Sequence, residues 1–490
     1  MRLSILGKDL VESIHVDSLS ILEDIGVFID NSNALKILDD YGCNVDYERK
    51  VARINSSLVD ECIKATPKVF KLHASRGGGC FTVGDDNTYF NPGSAAIYVY
   101  DYDRNDIRKP LTRDLAEFVF IADALDSMVF QSTAIVASDV PNEIYDSWRL
   151  FVVLMNSSKP IITGAFSDKG VYEMSRMISI VKGEDMKREP IAVFDVCPSP
   201  PLKWSYITSQ NIIDCAKLGL PLEIIPMPSP GSTGPVTIYG SLVQHNAEFL
   251  AGLVLAQCVR RGSIVVYGGS PCSFDMRYGT VSICGVEALA LTLSYVDIAK
   301  YYGLPCHAYM AISDSKVIDY QAGFEVGVGA FLAVLKGVNI VSGPGMMENE
   351  SVQSLEKLVI DAEICSMALR FRELLEIERD SEAVDVLREV GFKADFLRKT
   401  HTLKWFRKTI YHPSNIIDRL SREAWIRGGK KDIISRARER ILEIHRRHEV
   451  KPLEKDIEKE LLGYARNLLI KHEVDSIKAD KLLSEARFKQ

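Results

Sequence analysis

Five aspartates and six aromatic rings are the side chains through which this chain could act on a small ligand. Asp101, Asp139, Asp195, Asp275 and Asp314 lie with Tyr98, Tyr100, Phe166, Phe274, Tyr278 and Tyr309 at the ends of short apolar runs or just beyond them. Ring faces carry partial negative charge, so rings beside a few carboxylates suit a cation that cannot donate hydrogen bonds, a quaternary ammonium. Any one of these rings could equally be core filler. Of nine histidines only His307 falls on such a run, where it is either a site residue or a hydrogen-bonded core residue. His445 and His448 flank two arginines with no cysteine or carboxylate ligand beside them, and read as a solvated helix face.

Hydrolytic and metal chemistry find little support. The ten cysteines are never closer than 12 residues, so there is no CxxC pair, and they read as reduced core thiols. Ser313 to Lys316 fits SxxK without its partner motifs, and GxSxG, HExxH and the Walker lysine loop do not occur. No metal constellation is expected from spacing.

The elements that must position these residues form a regular series. Apolar or β-branched runs begin at Ala96, Val129, Pro160, Pro190, Pro221, Ser263, Leu304 and Val338, separated by 30 to 42 residues, the length of a strand, a crossover helix and two loops. Helical patterns fill the gaps: Thr112 to Leu125, Glu143 to Asn156, Lys169 to Val181, Ser205 to Leu218, Leu242 to Arg261, Val286 to Tyr302 and Gln321 to Lys336. Eight such units predict an α/β fold, a (β/α)8 TIM barrel, with function at the carboxyl ends of its strands. An open dinucleotide-binding sheet is disfavoured, because Gly327-Val328-Gly329 lies inside a predicted helix and lacks the third glycine. The expected organisation is a helical region at 1–75, the barrel at 76–360 and a helical C-terminal region at 361–490 packed on it.

Composition excludes other classes. With 47% hydrophobic and 26% charged residues the chain is an ordinary globular protein. Lys plus Arg is 59 and Asp plus Glu is 66, a net charge of −7, which speaks against nucleic-acid binding. No secretory start or membrane span is visible, so a cytoplasmic protein is expected. Arg398 to Glu449 is locally basic, with 15 Lys and Arg against 6 Asp and Glu, and offers a docking surface for an acidic partner.

Four long blocks carry a resemblance. Gly231 to Ala288, which begins GSTGPVTIYG, is similar to the trimethylamine:corrinoid methyltransferase family. So are SDSKVIDYQAGFE from Ser313 to Glu325, GPGMMENESVQSLEKLVIDAEI from Gly343 to Ile364, and HTLKWFRKTIYHPSNIIDR from His401 to Arg419. The resemblance covers most of the chain and implies a barrel, as the spacing does. Trimethylamine-using members carry pyrrolysine, whereas this sequence shows only standard letters and so resembles members that demethylate quaternary amines, glycine betaine most typically. A pyrrolysine written as lysine would fall at Lys316 or Lys336.

The resemblance implies transfer of a methyl group to cob(I)alamin carried by a partner corrinoid protein, with no cofactor held tightly by this chain. A small quaternary amine is the implied substrate and a homo-oligomer the expected state. Tyr98, Phe274 and Tyr309 would face the ammonium, and Arg277 or His307 would bind a substrate carboxylate. Asp275, Asp314, Gln321 and Glu325 lie in matched blocks and would orient those groups or serve as structural hydrogen-bonders. Two alternatives stay open: an aldolase or lyase using a Schiff-base lysine, although no run carries one at its end, and a betaine-binding protein without catalysis.

Overall fold

The computed structural model describes residues 3–393 and 395–489. Strand and helix alternate eight times. The strands are β1 (Tyr89–Asn91), β2 (Gln131–Ser132), β3 (Ile161–Gly164), β4 (Ala192–Val196), β5 (Leu222–Ile224), β6 (Val265–Tyr267), β7 (His307–Tyr309) and β8 (Ile340–Ser342). Each is followed by a helix: α1 (Thr112–Ala124), α2 (Tyr145–Asn156), α3 (Gly170–Lys182), α4 (Tyr206–Leu218), α5 (Ile238–Val259), α6 (Val286–Tyr301), α7 (Tyr320–Lys336) and α8 (Leu355–Leu374).

Side-chain caps set several helix starts. Ser205 accepts from Thr208 N, Thr237 from Gly240 N, Asp319 from Ala322 N and Ser354 from Lys357 N, each satisfying an orphan donor of the first turn. Gly219 and Gly337 end α4 and α7 in the left-handed conformation that favours glycine.

The strands pair in parallel. Hydrogen-bonded ladders join β2, β3, β4, β5 and β6 in that order, and likewise β7, β8 and β1. Two bridges link these sets: Tyr267 with Cys306 between β6 and β7, and Phe90 with Met128 between β1 and the segment entering β2. The fold is α/β.

The two faces of the strands differ. Phe194, Val196, Leu222, Ile224, Val265 and Tyr267 join the main core with the surrounding helices. The opposite, inner face contributes Phe130, Ile162, Val193, Val266 and Ile340 to a separate cluster. That cluster includes Phe70, Leu72 and Val83 of the antiparallel hairpin Phe70–His73 and Cys80–Val83. Two residues further along, the same inner face turns polar or small: Ser132, Gly164, Asp195, Gly268 and Ser342.

The structure corrects the sequence reading at its first strand. The run from Ala96 is not β1; Tyr98–Asp101 pairs antiparallel with Asp106–Arg108 and parallel with Val352–Gln353, an outlying hairpin between β1 and α1. The N-terminal region is also more than helical, since Val27–Ile29, Asn44–Asp46 and Val51–Arg53 form a small sheet with Lys203–Trp204. The expected joints near 75 and 360 fall inside continuous elements, the first within the 70–83 hairpin and the second within α8. After α8, helices Ala383–Val390, Thr400–Thr409, Arg422–Arg427, Ile433–Arg447, Lys455–Lys471 and Ser476–Glu485 follow. Among the described residues no helix is long and apolar enough to cross a membrane.

Candidate active site

The carboxyl ends of β4 and β5 bring two acids together. Asp195 and Glu223 are register partners on adjacent parallel strands and both side chains follow the inner face. No N–H or O–H among the described residues donates to Asp195 Oδ1 or to either oxygen of Glu223, and the two carboxyls face each other. Burial pushes both carboxyls well up from the usual range, and the Asp195 charge raises Glu223 further. Glu350, in the loop after β8, accepts from Ser270 Oγ at 3.2 Å, and burial, with the charges of Asp195 and Asp314, pushes it up to about 7.

That loop is strained. Glu348, Asn349 and Glu350 take φ of 49°, 51° and 67° in succession, left-handed backbone that side chains with a Cβ adopt at a cost of order 1 to 3 kcal/mol each.

β7 supplies a neutral imidazole and a ring. His307 is fully buried; its Nε2 lies 3.0 Å from Ser342 Oγ and 3.7 Å from Glu223 Oε1, while Nδ1 has no partner. Burial lowers its pKa to about 3, so the ring is uncharged. Gly268 permits this packing, because a Cβ there would stand 2.8 Å from Ile224 O and 3.4 Å from His307 Nδ1. Tyr309 packs edge-on against His307 with centroids 5.1 Å apart. The charges of Asp195 and Glu350 act on its phenol, behind the larger effect of burial.

One guanidinium faces these acids. Arg149 of α2 is buried, with Nη1 on Thr133 O at 2.9 Å, Nη2 on Gly164 O at 3.2 Å and Asp146 Oδ1 3.6 Å away. It stacks 4.9 Å from the Phe166 ring, which is otherwise exposed after β3.

The residues expected from sequence divide into four places. His307 and Tyr309 stand at the acid cluster. Phe274, Asp275 and Arg277 lie on the hairpin Ser273–Asp275 and Thr280–Ser282 after β6. There Arg277 is exposed and clamps Asp275 through two nitrogens, the closer contact 2.6 Å.

Asp314, Gln321 and Glu325 form a latch. Glu325 accepts from Ser313 Oγ at 2.7 Å, Asp314 N at 2.9 Å and Gln321 Nε2 at 3.0 Å. Asp314 in turn accepts from Ser282 Oγ, Ile283 N and Cys284 N, tying the hairpin after β6 to the loop after β7. Tyr98 belongs to none of these groups: it sits on the outlying hairpin with the Lys109 ammonium already over its ring at 4.3 Å.

Spacing hides some groupings that folding creates. Cys284 Sγ and carboxylate oxygens of Asp314 and Glu325 lie within 4.8 Å of one another, a possible metal set, although all three are engaged in hydrogen bonds. His445 and His448 face α1 rather than open solvent, against Glu117 at 3.2 Å and Asp123 at 2.9 Å. Lys336 is buried just before β8 and pairs with Asp297 at 2.7 Å; Asp297 also accepts from Ile5 N and Leu6 N, a structural tie. Lys316 Nζ donates to Asp314 O at 2.9 Å. The eight strands β1 to β8 carry no lysine, which weakens the Schiff-base reading.

Glu223, Glu350 and Arg149 were not singled out from sequence. A lone Glu in the run PLEIIP and a lone Arg in WRLFVVLM were the available signals. Glu350 offered none beyond its matched block.

With this geometry in place, comparison gives the class. The family profile "Trimethylamine methyltransferase (MTTB)" matches residues 1–468, and the chain belongs to that family. It is a methyltransferase. Similar proteins include the trimethylamine methyltransferase MttB of Methanosarcina thermophila, 30% identical over 480 residues covering 94% of this chain and 96% of that one. The glycine betaine methyltransferase of Desulfitobacterium hafniense strain Y51 is also 30% identical, over 428 residues covering 86% and 88%. The crystal structure of the Methanosarcina barkeri monomethylamine methyltransferase MtmB shares the fold, with TM-score 0.54 at 12% identity over 90% of this chain and 89% of that one.

Proposed function

We propose that the circuit of eight paired strands is a closed (β/α)8 barrel, and that this chain moves a methyl group from a small quaternary ammonium compound to cob(I)alamin on a separate corrinoid protein. The observation that carries the reading is the Tyr309 ring among the carboxyls of Asp195, Glu223 and Glu350. Membership of a family that includes a named glycine betaine methyltransferase supports it.

The chemistry asks little acid–base work of the protein. A quaternary nitrogen departs as a neutral tertiary amine, keeping the electrons of the broken N–CH3 bond, so no proton need be delivered to it. Cob(I)alamin, when its carrier is docked, supplies the nucleophile. The residues of this chain hold the cation by charge and ring faces, present one methyl outward and keep water away, which is catalysis by positioning and electrostatics. The neutral His307, held by Ser342, fixes the floor beneath the acids.

The mouth suits a docking protein. Loops following β3, β5 and β6 expose Phe166, Val236, Met276 and Tyr278, and the first turns of α7 expose Tyr320 and Phe324, an apolar rim of the kind partners cover. The basic C-terminal segment is the weaker docking candidate, because several of its cations are paired internally, Arg438 with Asp103, Lys431 with Glu439 and Arg440 with Glu443. Our domain reading keeps a barrel between an N-terminal and a C-terminal region but widens it from 76–360 to 70–374, so that the 70–83 hairpin and α8 are counted with it.

The test is methyl transfer from a panel of quaternary amines, read as loss of the cob(I)alamin spectrum in the presence of the corrinoid protein. Loss with at least one quaternary amine is expected. Activity only with trimethylamine, or only binding without any spectral change, overturns the reading.

A further inference from the structure

Just after α8 the chain leaves a run of apolar side chains uncovered. Helices Ala383–Val390 and Thr400–Thr409 are eight and ten residues long, and Val390 is the one buried residue between them. Helices this short are marginal in water and depend on packing of an apolar face. Here that face lies open: Leu403, Phe406 and Ile410 stand three and four apart on one side of the second helix and its cap, all exposed. Leu387, Phe392 and Leu397 are exposed beside them, Phe392 completely. A cleft of about 480 Å3 runs between the end of α8 and the second helix, with Trp405 in its wall. The buried Trp405 Nε1 has no acceptor among the described residues.

This face is remote from the acid cluster. α8 begins just beyond Glu350 and runs back along the strands, and near its end Arg372 Nη1 donates to Asp86 O in the loop entering β1, while Arg370 Nη2 donates to Lys408 O. The open face therefore sits toward the amino ends of the strands. A protein that must reach the acids cannot do so from there.

The face also matches itself in charge. From Glu376 to Glu389 there are six Asp and Glu against two Arg, and from Lys393 to Lys408 six Lys and Arg against one Asp. Some of these pair within the copy, Lys399 with Glu389, Lys404 with Glu382 and His401 with Asp380. Glu376, Glu378 and Arg407 are exposed and have no ion-pair partner among the described residues. An acidic half beside a basic half is complementary to its own copy turned by a two-fold axis, each half meeting the other. We propose that residues 376–410 bind a second copy of this chain in a two-fold dimer, burying the apolar side chains and leaving the loop side of both copies open. A stable interface uses about 20 to 30 residues a side, which this stretch supplies.

Sedimentation equilibrium of the full chain at micromolar concentration tests the proposal. The parent should have twice its chain mass, or an even multiple of it. Leu403→Glu puts a charge on a side chain already exposed in the single copy, so the fold is little at risk, and it should weaken the dimer tenfold or more. Leu397→Glu, outside both helices, should do the same and answers in its place if the first variant misfolds. A monomeric parent overturns the proposal, as does a dimer that both folded variants form as tightly as the parent. A monomeric parent that binds the corrinoid protein through Leu403 overturns it in favour of that partner.

Discussion

The two ends of the same eight strands were built for different purposes. Toward their amino ends the inner face holds Phe130, Ile162, Val193, Val266 and Ile340, sealed by the 70–83 hairpin. One step of two residues toward the carboxyl ends it holds Asp195, Ser132, Ser342 and two glycines, with both oxygens of Glu223 and Nδ1 of His307 unpartnered between the layers. The first layer gains from removal of apolar surface from water. The second gives up part of that gain to keep charged groups available. Stability and ligand chemistry are thus separated along each strand by roughly one pleat repeat, about 7 Å.

That contrast can be broken at either end. The largest effect is expected from Phe130→Ala, which empties part of the apolar layer and should cost about 3 to 5 kcal/mol in unfolding free energy, by denaturant titration. Ligand selectivity of whatever folds should stay unchanged; altered selectivity would mean the layers are not separate.

Glu223→Gln should act in the opposite direction. A carboxyl whose folded pKa is raised binds its proton more tightly in the folded than in the unfolded state, so stability is lost as pH rises from the unfolded carboxyl range through the raised folded one. The variant should therefore unfold at higher temperature than the parent at pH 8, and the gain should vanish near pH 4.5. A destabilised variant at pH 8 would mean that Glu223 is satisfied.

Ammonium binding has its own pH dependence. A cation favours the ionised forms of Glu223, Asp195 and Glu350, which face Arg149, His307 and Tyr309, so affinity should rise as pH increases from 6 to 8. A flat profile in calorimetry would separate the ligand from these acids.

Smaller effects follow. Tyr309→Leu keeps an apolar group but removes the ring face, and should weaken tetramethylammonium binding by a factor corresponding to about 0.5 to 2 kcal/mol. Arg277→Ala should change neither the melting temperature nor the KM for a quaternary amine, because its guanidinium is spent on Asp275 in solvent. A raised KM confined to carboxylated substrates would restore the substrate role expected from sequence.

Much of this architecture is legible in the spacing of apolar runs, and seven of the inter-strand helices fall within a few residues of the expected ranges. The first strand is not. Tyr89–Asn91 is only three residues long and abuts Pro92 and Gly93, whereas the richer run Ala96 to Tyr100 carries the β propensity and spends it on a hairpin. The strand-end rule finds Asp195 and Tyr309 because they lie at or next to the ends of β4 and β7, while His307, which opens β7, stands out by its residue type. It passes over Glu223 because that residue lies in mid-strand, where only the alternation of faces, set by pairing with Asp195, turns it inward. Arg149 reaches the site from a helix across space, and no linear pattern reports that.

The hairpin of residues 70–83 has a kinetic implication. By packing Phe70, Leu72 and Val83 against the inner strand residues, it covers the amino-terminal end and leaves the loop side as the approach to the acid cluster. If the corrinoid protein caps that approach, the two reactants queue: the ammonium ion enters before its macromolecular acceptor arrives, and the demethylated amine is trapped until the acceptor departs. Steady-state patterns would then show compulsory order, with excess acceptor slowing turnover by sealing an empty chamber.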